Sequence, residues 1–245
     1  MVIQENIEYK KNVAKQNKQK EWIEKLEQGF DKHSDENTKN FILSNKPADA
    51  DSDELKLIEF TIQAVNKMDT MLPEDIKREI LINCSCHYPK DRLQELKNLY
   101  NQTGNIDKVH QLLEEQFEST LYNPSEFESE FSSVKDEYKQ KIIERNWGLA
   151  GEKIGDSIIV TKIPNEIERY FTTDDPIEKR YAYCHCPRIK ALIKENNRSI
   201  SESYCYCGAG FYKGIWEEII GSDVKVEVLE TVVGGSSVCK FAVHL

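Results

Sequence analysis

The sequence predicts an α+β protein, with a helical N-terminal region followed by a mixed α/β domain whose antiparallel sheet ends in a C-terminal hairpin. Three observations predict it. Up to Trp147, apolar residues recur every three or four positions in otherwise charged stretches, the period of amphipathic helices. After Gly148, β-branched runs appear, beginning with Ser157–Ile163 (SIIVTKI). The chain then closes on two apolar runs joined through Gly234-Gly235, the pattern of a hairpin. This change of texture divides the chain into residues 1–147, mostly helical, and residues 148–245, α+β.

Taken in order, Trp22, Leu26 and Phe30 form a narrow apolar stripe on a first helix, and Asn45–Ser52 reads as a loop. A second helix carries Leu55, Ile58, Ile62, Val65 and Leu72 near its buried face. Pro73 suits a first helical turn, with Glu74 and Asp75 complementing the dipole, and Ile76 and Ile80 lead toward Cys84. Leu93, Leu96, Leu99 and Tyr100 mark the next helix, which Gly104-Asn105 closes; Ile106, Val109, Leu113 and Phe117 mark the one after. Asn123-Pro124-Ser125 starts another, carrying Phe127, Phe131, Val134, Tyr138 and Ile142. In the second part, Ser157–Ile163 and Tyr181–Cys184 read as strands and Gly208–Ile220 as a helix with Phe211, Ile215 and Ile219 on one stripe. Gly210 and Gly214, four apart, suggest close packing of that helix. Val224–Val233 alternates, and Val238–His244 completes the hairpin.

Composition narrows the function classes. With 31 % charged residues and a net charge of −10, the surface is acidic, which argues against a broad nucleic-acid interface. No apolar run approaches the ~18–20 residues of a bilayer span. The opening MVIQENIEYKKNVAKQNKQKEW has neither an apolar signal core nor a small-residue cleavage site, so the expected setting is the cytoplasm. Thiols stay reduced there, and seven cysteines then point to metal or redox chemistry rather than to a disulfide framework. A homodimer is compatible with everything above.

Six of the seven cysteines sit in Cys-x-Cys pairs: Cys84/Cys86, Cys184/Cys186 and Cys205/Cys207. In an extended segment residues i and i+2 share a face, so both sulfurs of a pair can reach one ion. Cys184, Cys186, Cys205, Cys207 and Cys239 offer five thiols in a short span, with His185 and Glu230 nearby, where a structural zinc site needs four N or S ligands. Cys207 leads into a helix, whose dipole favours the thiolate. The Gly234-Gly235 turn would bring Cys239 toward Glu230. An iron–sulfur cluster also takes four thiolates, though no ferredoxin spacing is present. Cys84-Ser85-Cys86-His87 sits where a helix ends; it could serve a separate site, join the C-terminal one, or be a pair of partly buried thiols. Cysteine is often merely a small buried apolar residue, a bland reading that stands beside the metal one for Cys239 and for the Cys84/Cys86 pair. His33, His110 and His244 read as surface or packing residues.

The run CYCGAGFYKGIWEEIIGSDVKVEVLETVVGGSSVCKF resembles the closing segment of the 4-vinyl reductase domain family. The likeness lies in a Cys leading into a Gly-containing helix (Cys207), a Glu ending the next strand (Glu230), a Gly turn (Gly234), and a Cys before an aromatic (Cys239-Lys240-Phe241). It covers about the last forty to sixty residues. The resemblance implies a small-molecule sensor domain in which the Cys and Glu positions hold zinc beside a ligand pocket. The chain departs from the pattern in having Val233 where the family usually carries one more cysteine, and in a turn about two residues short. The fourth ligand must then come from Cys205, Cys184 or Cys186. The run Tyr183-Cys184-His185-Cys186-Pro187, with Cys205-Tyr206-Cys207, also resembles a related uncharacterised bacterial family, which implies no activity.

Tyr181, Tyr183, Tyr204, Tyr206, Phe211, Tyr212 and Trp216 crowd around these cysteines, either as the lining of an apolar pocket or as ordinary core. There is no G-x-G-x-x-G opening a helix, no phosphate loop, no H-E-x-x-H and no G-x-S-x-G. The expectation is a zinc-binding protein that takes a small apolar or aromatic ligand as sensor or carrier. Two alternatives differ in kind: a metal- or cysteine-dependent hydrolase of the amide type, and a thiol redox or iron–sulfur protein.

Overall fold

A computed structural model describes residues 20–47, 54–124, 131–196 and 199–245. The N-terminal charge runs, most of the Asn45–Ser52 loop, and the positions of Ser125 and Phe127 lie outside those residues. The expected architecture is present: helices come first, and an antiparallel sheet of four strands ends the chain. The described residues fall into two units. One comprises the chain up to Ser85 together with Ser199–Cys207; the other comprises Cys86–Arg198 and Gly208–Leu245. The composition change at Gly148 therefore coincides with none of the three cuts.

In the first unit, α1 (residues 20–33) buries Trp22, Leu26 and Phe30 as their spacing predicts. Asp35 caps α2 (Glu36–Ile42) by accepting from the backbone N–H groups of Asn37 and Thr38. The helix α3 (Glu54–Met71) buries Leu57, Ile58, Phe60, Ala64, Val65 and Met68. Leu55, expected on that face, is exposed, because the buried stripe runs through Leu57 and Phe60 instead. Pro73 stands directly before α4 (Glu74–Asn83), which buries Ile80 and Leu81. The returning segment Ser199–Cys207 is tied to α3 by Asn66, whose Nδ2 donates to Ser199 O (2.7 Å), and by Ser203 Oγ donating to Asp69 Oδ1 (2.8 Å). The Trp22 ring packs, tilted by 33°, at 5.7 Å from that of Tyr204 in the same segment.

In the second unit, a 3-10 turn (Lys90–Leu93) leads into α5 (Gln94–Thr103), which ends on Gly104 at φ 59°. That left-handed conformation is open to glycine at little cost. Asn105 then caps α6 (Ile106–Tyr122). The helix expected to run from Ser125 through Ile142 is shorter: residues 131–133 form a 3-10 turn, and α7 (Asp136–Glu144) begins after Lys135. Leu121, Phe131, Tyr138, Ile142 and Ile167 form an apolar cluster, with Trp147 and Phe171 packed against it.

The sheet runs β1 (Glu152–Ile154), β2 (Ser157–Thr161), β4 (Lys240–His244), β3 (Lys225–Glu230), each neighbouring pair antiparallel. Register places Ile158 opposite Val243 and Val160 opposite Phe241, while Val226 and Val228 oppose the same two residues from the other side. One face is therefore apolar across three strands, as the alternation predicts.

Between β2 and β3 lie α8 (Ile167–Thr172), α9 (Pro176–Tyr183), α10 (Pro187–Lys194) and, after a 3-10 turn (Glu202–Cys205), α11 (Tyr206–Ile220). Tyr181–Cys184 is thus the end of a helix rather than a strand. Asp175 decides this: its side chain accepts from the N–H groups of Ile177 and Glu178, and Pro176 occupies the first helical turn. On α11, close packing falls at Gly208 rather than at Gly214. A Cβ at Gly208 would stand 3.0 Å from the Phe241 ring, whereas one at Gly214 would meet nothing within 4 Å.

Candidate metal centre

Cys184 and Cys186 flank the junction of two helices. Cys184 ends α9 with φ −70° and ψ 131°, and Cys186 precedes α10 with φ −84° and ψ 116°, so the pair is extended although no strand is present. Pro187 enforces part of this, since a residue before proline is driven out of the helical region. The junction is anchored by His185, whose Nε2 lies 2.8 Å from Ile163 O, and by Asn165 N–H donating to Tyr183 O (3.1 Å).

Cys239 reaches this junction from the far end of the chain. It lies just before β4, and its carbonyl accepts from Lys162 N (3.0 Å) and from Tyr183 Oη (3.2 Å). The same tyrosine hydroxyl also donates to Lys162 O. The thiols of Cys184 and Cys239 are both buried. Burial pushes the Cys184 thiol well above its ordinary range, and the neighbouring Cys186 and Cys239 push it further. Burial likewise raises Cys239; Glu230 adds to the rise, against the backbone of Val232 and Lys162. Cys186 and Cys239 thus both stand within electrostatic reach of the buried Cys184 thiol.

Glu230 is near Cys239 but otherwise engaged. Its carboxylate accepts from Lys240 Nζ at 2.7 Å, and that hydrogen bond holds it below the usual carboxylate range. Across the sheet Glu230 is in register with Lys240, not with Cys239, after an irregularity between Val228 and Glu230.

Cys205 and Cys207 fall in the first unit. Cys205 closes the 3-10 turn and Cys207 is the second residue of α11. At about 100–120° per residue, positions i and i+2 lie on nearly opposite sides of a helix, so the shared-face argument does not hold for this pair. The Cys207 Sγ–H donates to Cys84 O at 3.2 Å, and Cys84 caps the end of α4, as its sequence position suggests. The predicted ligands are therefore gathered as Cys184, Cys186, Cys239 and Glu230 in one unit, and as Cys205 and Cys207, beside Cys84, in the other.

The donor chemistry of the second-unit cluster suits zinc: three sulfurs, two of them buried, with a carboxylate at hand. Its spacing is not that of a closed site, since among the described residues no group of three or more His, Cys, Asp and Glu side chains is placed to hold an ion. Tyr183 and Tyr212 adjoin Cys239. Tyr183, Tyr212 and Trp216 are buried, and Tyr212 packs at 5.7 Å on Phe241. Tyr181, Tyr206 and Phe211 are half-buried. Lys162, next to both buried thiols, and the Tyr183 hydroxyl escaped the sequence reading; a lysine at a strand end and a tyrosine in a helix carry no distinguishing local signal.

Residues 157–245 match a family of unknown function (DUF6144). The matched span begins with β2 and contains Cys184, Cys186, Cys205, Cys207, Glu230 and Cys239, but not Cys84 or Cys86. No curated protein and no solved structure matches the chain. No helix among the described residues is long and apolar enough to cross a membrane.

Proposed function

We propose that the chain is a zinc-binding protein whose second unit holds the ion through Cys184, Cys186 and Cys239, and that it acts as a sensor or carrier of a small apolar or aromatic molecule. One observation carries this reading: Cys239, distant in sequence, is delivered to the Cys184–Cys186 junction by hydrogen bonds from Lys162 and Tyr183. A buried thiol whose proton affinity is raised by two neighbouring thiols, as that of Cys184 is by Cys186 and Cys239, is one a divalent cation would deprotonate. Cys186, the less buried member, lies in an extended junction between two helices and is the ligand best able to move. Glu230 is the natural fourth ligand once it exchanges Lys240 for the ion. The ion's role is then structural, and the aromatic side chains around Cys239 supply apolar walls for a ligand.

The hydrolase alternative draws less support. Nucleophilic catalysis needs a thiolate, and burial disfavours one at both Cys184 and Cys239, which leaves that reading to Cys207 in the first unit.

The test is elemental analysis of the full chain purified under reducing, anaerobic conditions, alongside serine variants. About one zinc per chain is expected. Cys184→Ser and Cys239→Ser should lose it, while Cys205→Ser and Cys207→Ser should keep it. Protein without zinc would overturn the reading, and loss of zinc from the Cys205 or Cys207 variant would overturn its assignment to the second unit.

A further inference from the structure

The first unit brings together thiols that the zinc reading does not use. Cys84 closes α4 and is 3 % exposed, with its Sγ 3.5 Å from Ile80 O. Cys207 arrives on the returning segment and donates its thiol proton to the carbonyl of Cys84 itself, at 3.2 Å. That segment does not drift past by chance. Asn66 holds it through Ser199 O and Ser201 N, and Asp69 holds it through Ser203 Oγ. Lys77 in turn fixes Asp69, at 2.6 Å. On the other side of Cys84, Lys25 Nζ donates to Ser85 O (2.7 Å) and Asn83 Nδ2 donates to Lys25 O (2.6 Å). Both backbones that carry the thiols are thus pinned by side-chain hydrogen bonds.

We propose that Cys84 and Cys207 form an oxidisable pair, a site at which a peroxide converts two thiols into one disulfide. The two residues differ in a way that assigns their roles. Cys207 is partly exposed and is the second residue of α11. It is the thiol a small oxidant reaches first. Cys84 is buried and is reached through Cys207.

The chemistry balances with hydrogen peroxide as the oxidant. The Cys207 sulfur attacks one peroxide oxygen; an S–O bond forms, the O–O bond breaks, and the departing hydroxide leaves as water with the Cys207 thiol proton. The Cys84 sulfur then attacks the Cys207 sulfenic acid; the S–S bond forms, the S–O bond breaks, and the second hydroxide leaves as water with the Cys84 proton. Two thiols are oxidised and one peroxide is reduced to two waters.

The Sγ–O contact places the two residues in the neighbourhood a bridge requires. From the Cys207 Sγ position, standard bond lengths keep the two Cα atoms within about 8 Å. A disulfide spans about 4.4–6.8 Å between Cα atoms. Bridging requires rotation about the Cα–Cβ bond of Cys84, which turns its sulfur from Ile80 O toward Cys207. The bond would close a loop across 123 positions of the chain, fastening the returning segment to α4.

The experiment is peptide mapping by mass spectrometry on the reduced, chelator-treated full chain, before and after hydrogen peroxide, with remaining thiols alkylated. The expected result is a Cys84–Cys207 cross-linked peptide and joint loss of alkylation at both residues, in the native sequence and in Cys205→Ser. Cys84→Ser should leave Cys207 oxidised only as far as the sulfenic or sulfinic acid, with no bridge to another cysteine. Oxidation that joins Cys205 to Cys207, or Cys84 to Cys86, would overturn the proposal. So would full alkylation of both Cys84 and Cys207 after peroxide. This test reads the first unit alone, so its failure is distinct from failure to find zinc.

Discussion

Replacing Tyr183 by phenylalanine tests whether the thiol cluster is held by the contacts described. The ring is fully buried and remains in the variant; only the hydroxyl goes. That hydroxyl has one proton and two acceptors, Lys162 O and Cys239 O. Cys239 O keeps a donor in Lys162 N at 3.0 Å, so the loss falls on Lys162 O. Leaving such an acceptor unsatisfied costs about 1–2 kcal/mol. If the loss acts on opening of the junction, the open fraction rises by roughly fivefold to thirtyfold. Alkylation of Cys184 and Cys239 under native conditions reads this directly, because both are buried and react only when the structure opens. Cys86 is exposed and serves as the internal control, with a rate that should not change. Labelling of Cys184 and Cys239 at the native rate, with Cys86 also unchanged, would refute the claim that Tyr183 fastens Cys239 to the junction. Thermal melting should fall by about 2–4 °C for each kcal/mol lost.

Three further outcomes follow from the same geometry. Gly208→Ala should destabilise the chain, since its Cβ would meet the Phe241 ring at 3.0 Å, whereas Gly214→Ala, in open space on the same helix, should stabilise it by up to about 1 kcal/mol; urea denaturation of the two variants decides between this and the reverse order. Asp175→Ala removes the cap of α9 and should cost about 1 kcal/mol of stability while raising the alkylation rate of Cys184, read in one labelling experiment. Glu218 is held down to about 2 by hydrogen bonds from Lys90 and Lys97, so its pairing should persist as pH falls until about pH 2 and be lost below it. A carboxyl NMR titration should give that midpoint, and Lys97→Ala should move it up toward the ordinary glutamate value.

Several features were legible in the sequence because they depend on local chemistry. The four-residue recurrence of Trp22, Leu26 and Phe30 is enough to place them on the buried side of α1, and the alternation from Val224 is enough to define one apolar face of β3. Gly104-Asn105 marks the end of one helix and the start of the next because glycine readily takes a positive φ and asparagine caps. Tyr181–Cys184 looks like a strand because its aromatic residues are β-prone, while the capping that makes it helical lies upstream at Asp175-Pro176. Leu55 lies off the buried stripe of its helix, which runs through Leu57 and Phe60.

The sequence by itself determined the α+β class, with helices first and a hairpin last, and the presence of three closely spaced thiol pairs. Those follow from periodicity, capping and spacing, which act over a few residues. Only the tertiary structure decided which thiols meet. Cys239 joins Cys184 because β4 pairs with β2 and carries it to Lys162 and Tyr183, whereas Cys207 meets Cys84 because Asn66 and Asp69 fasten the returning segment to the first unit. Pairings of that kind rest on hydrogen bonds between residues far apart in the chain, and no local pattern encodes them.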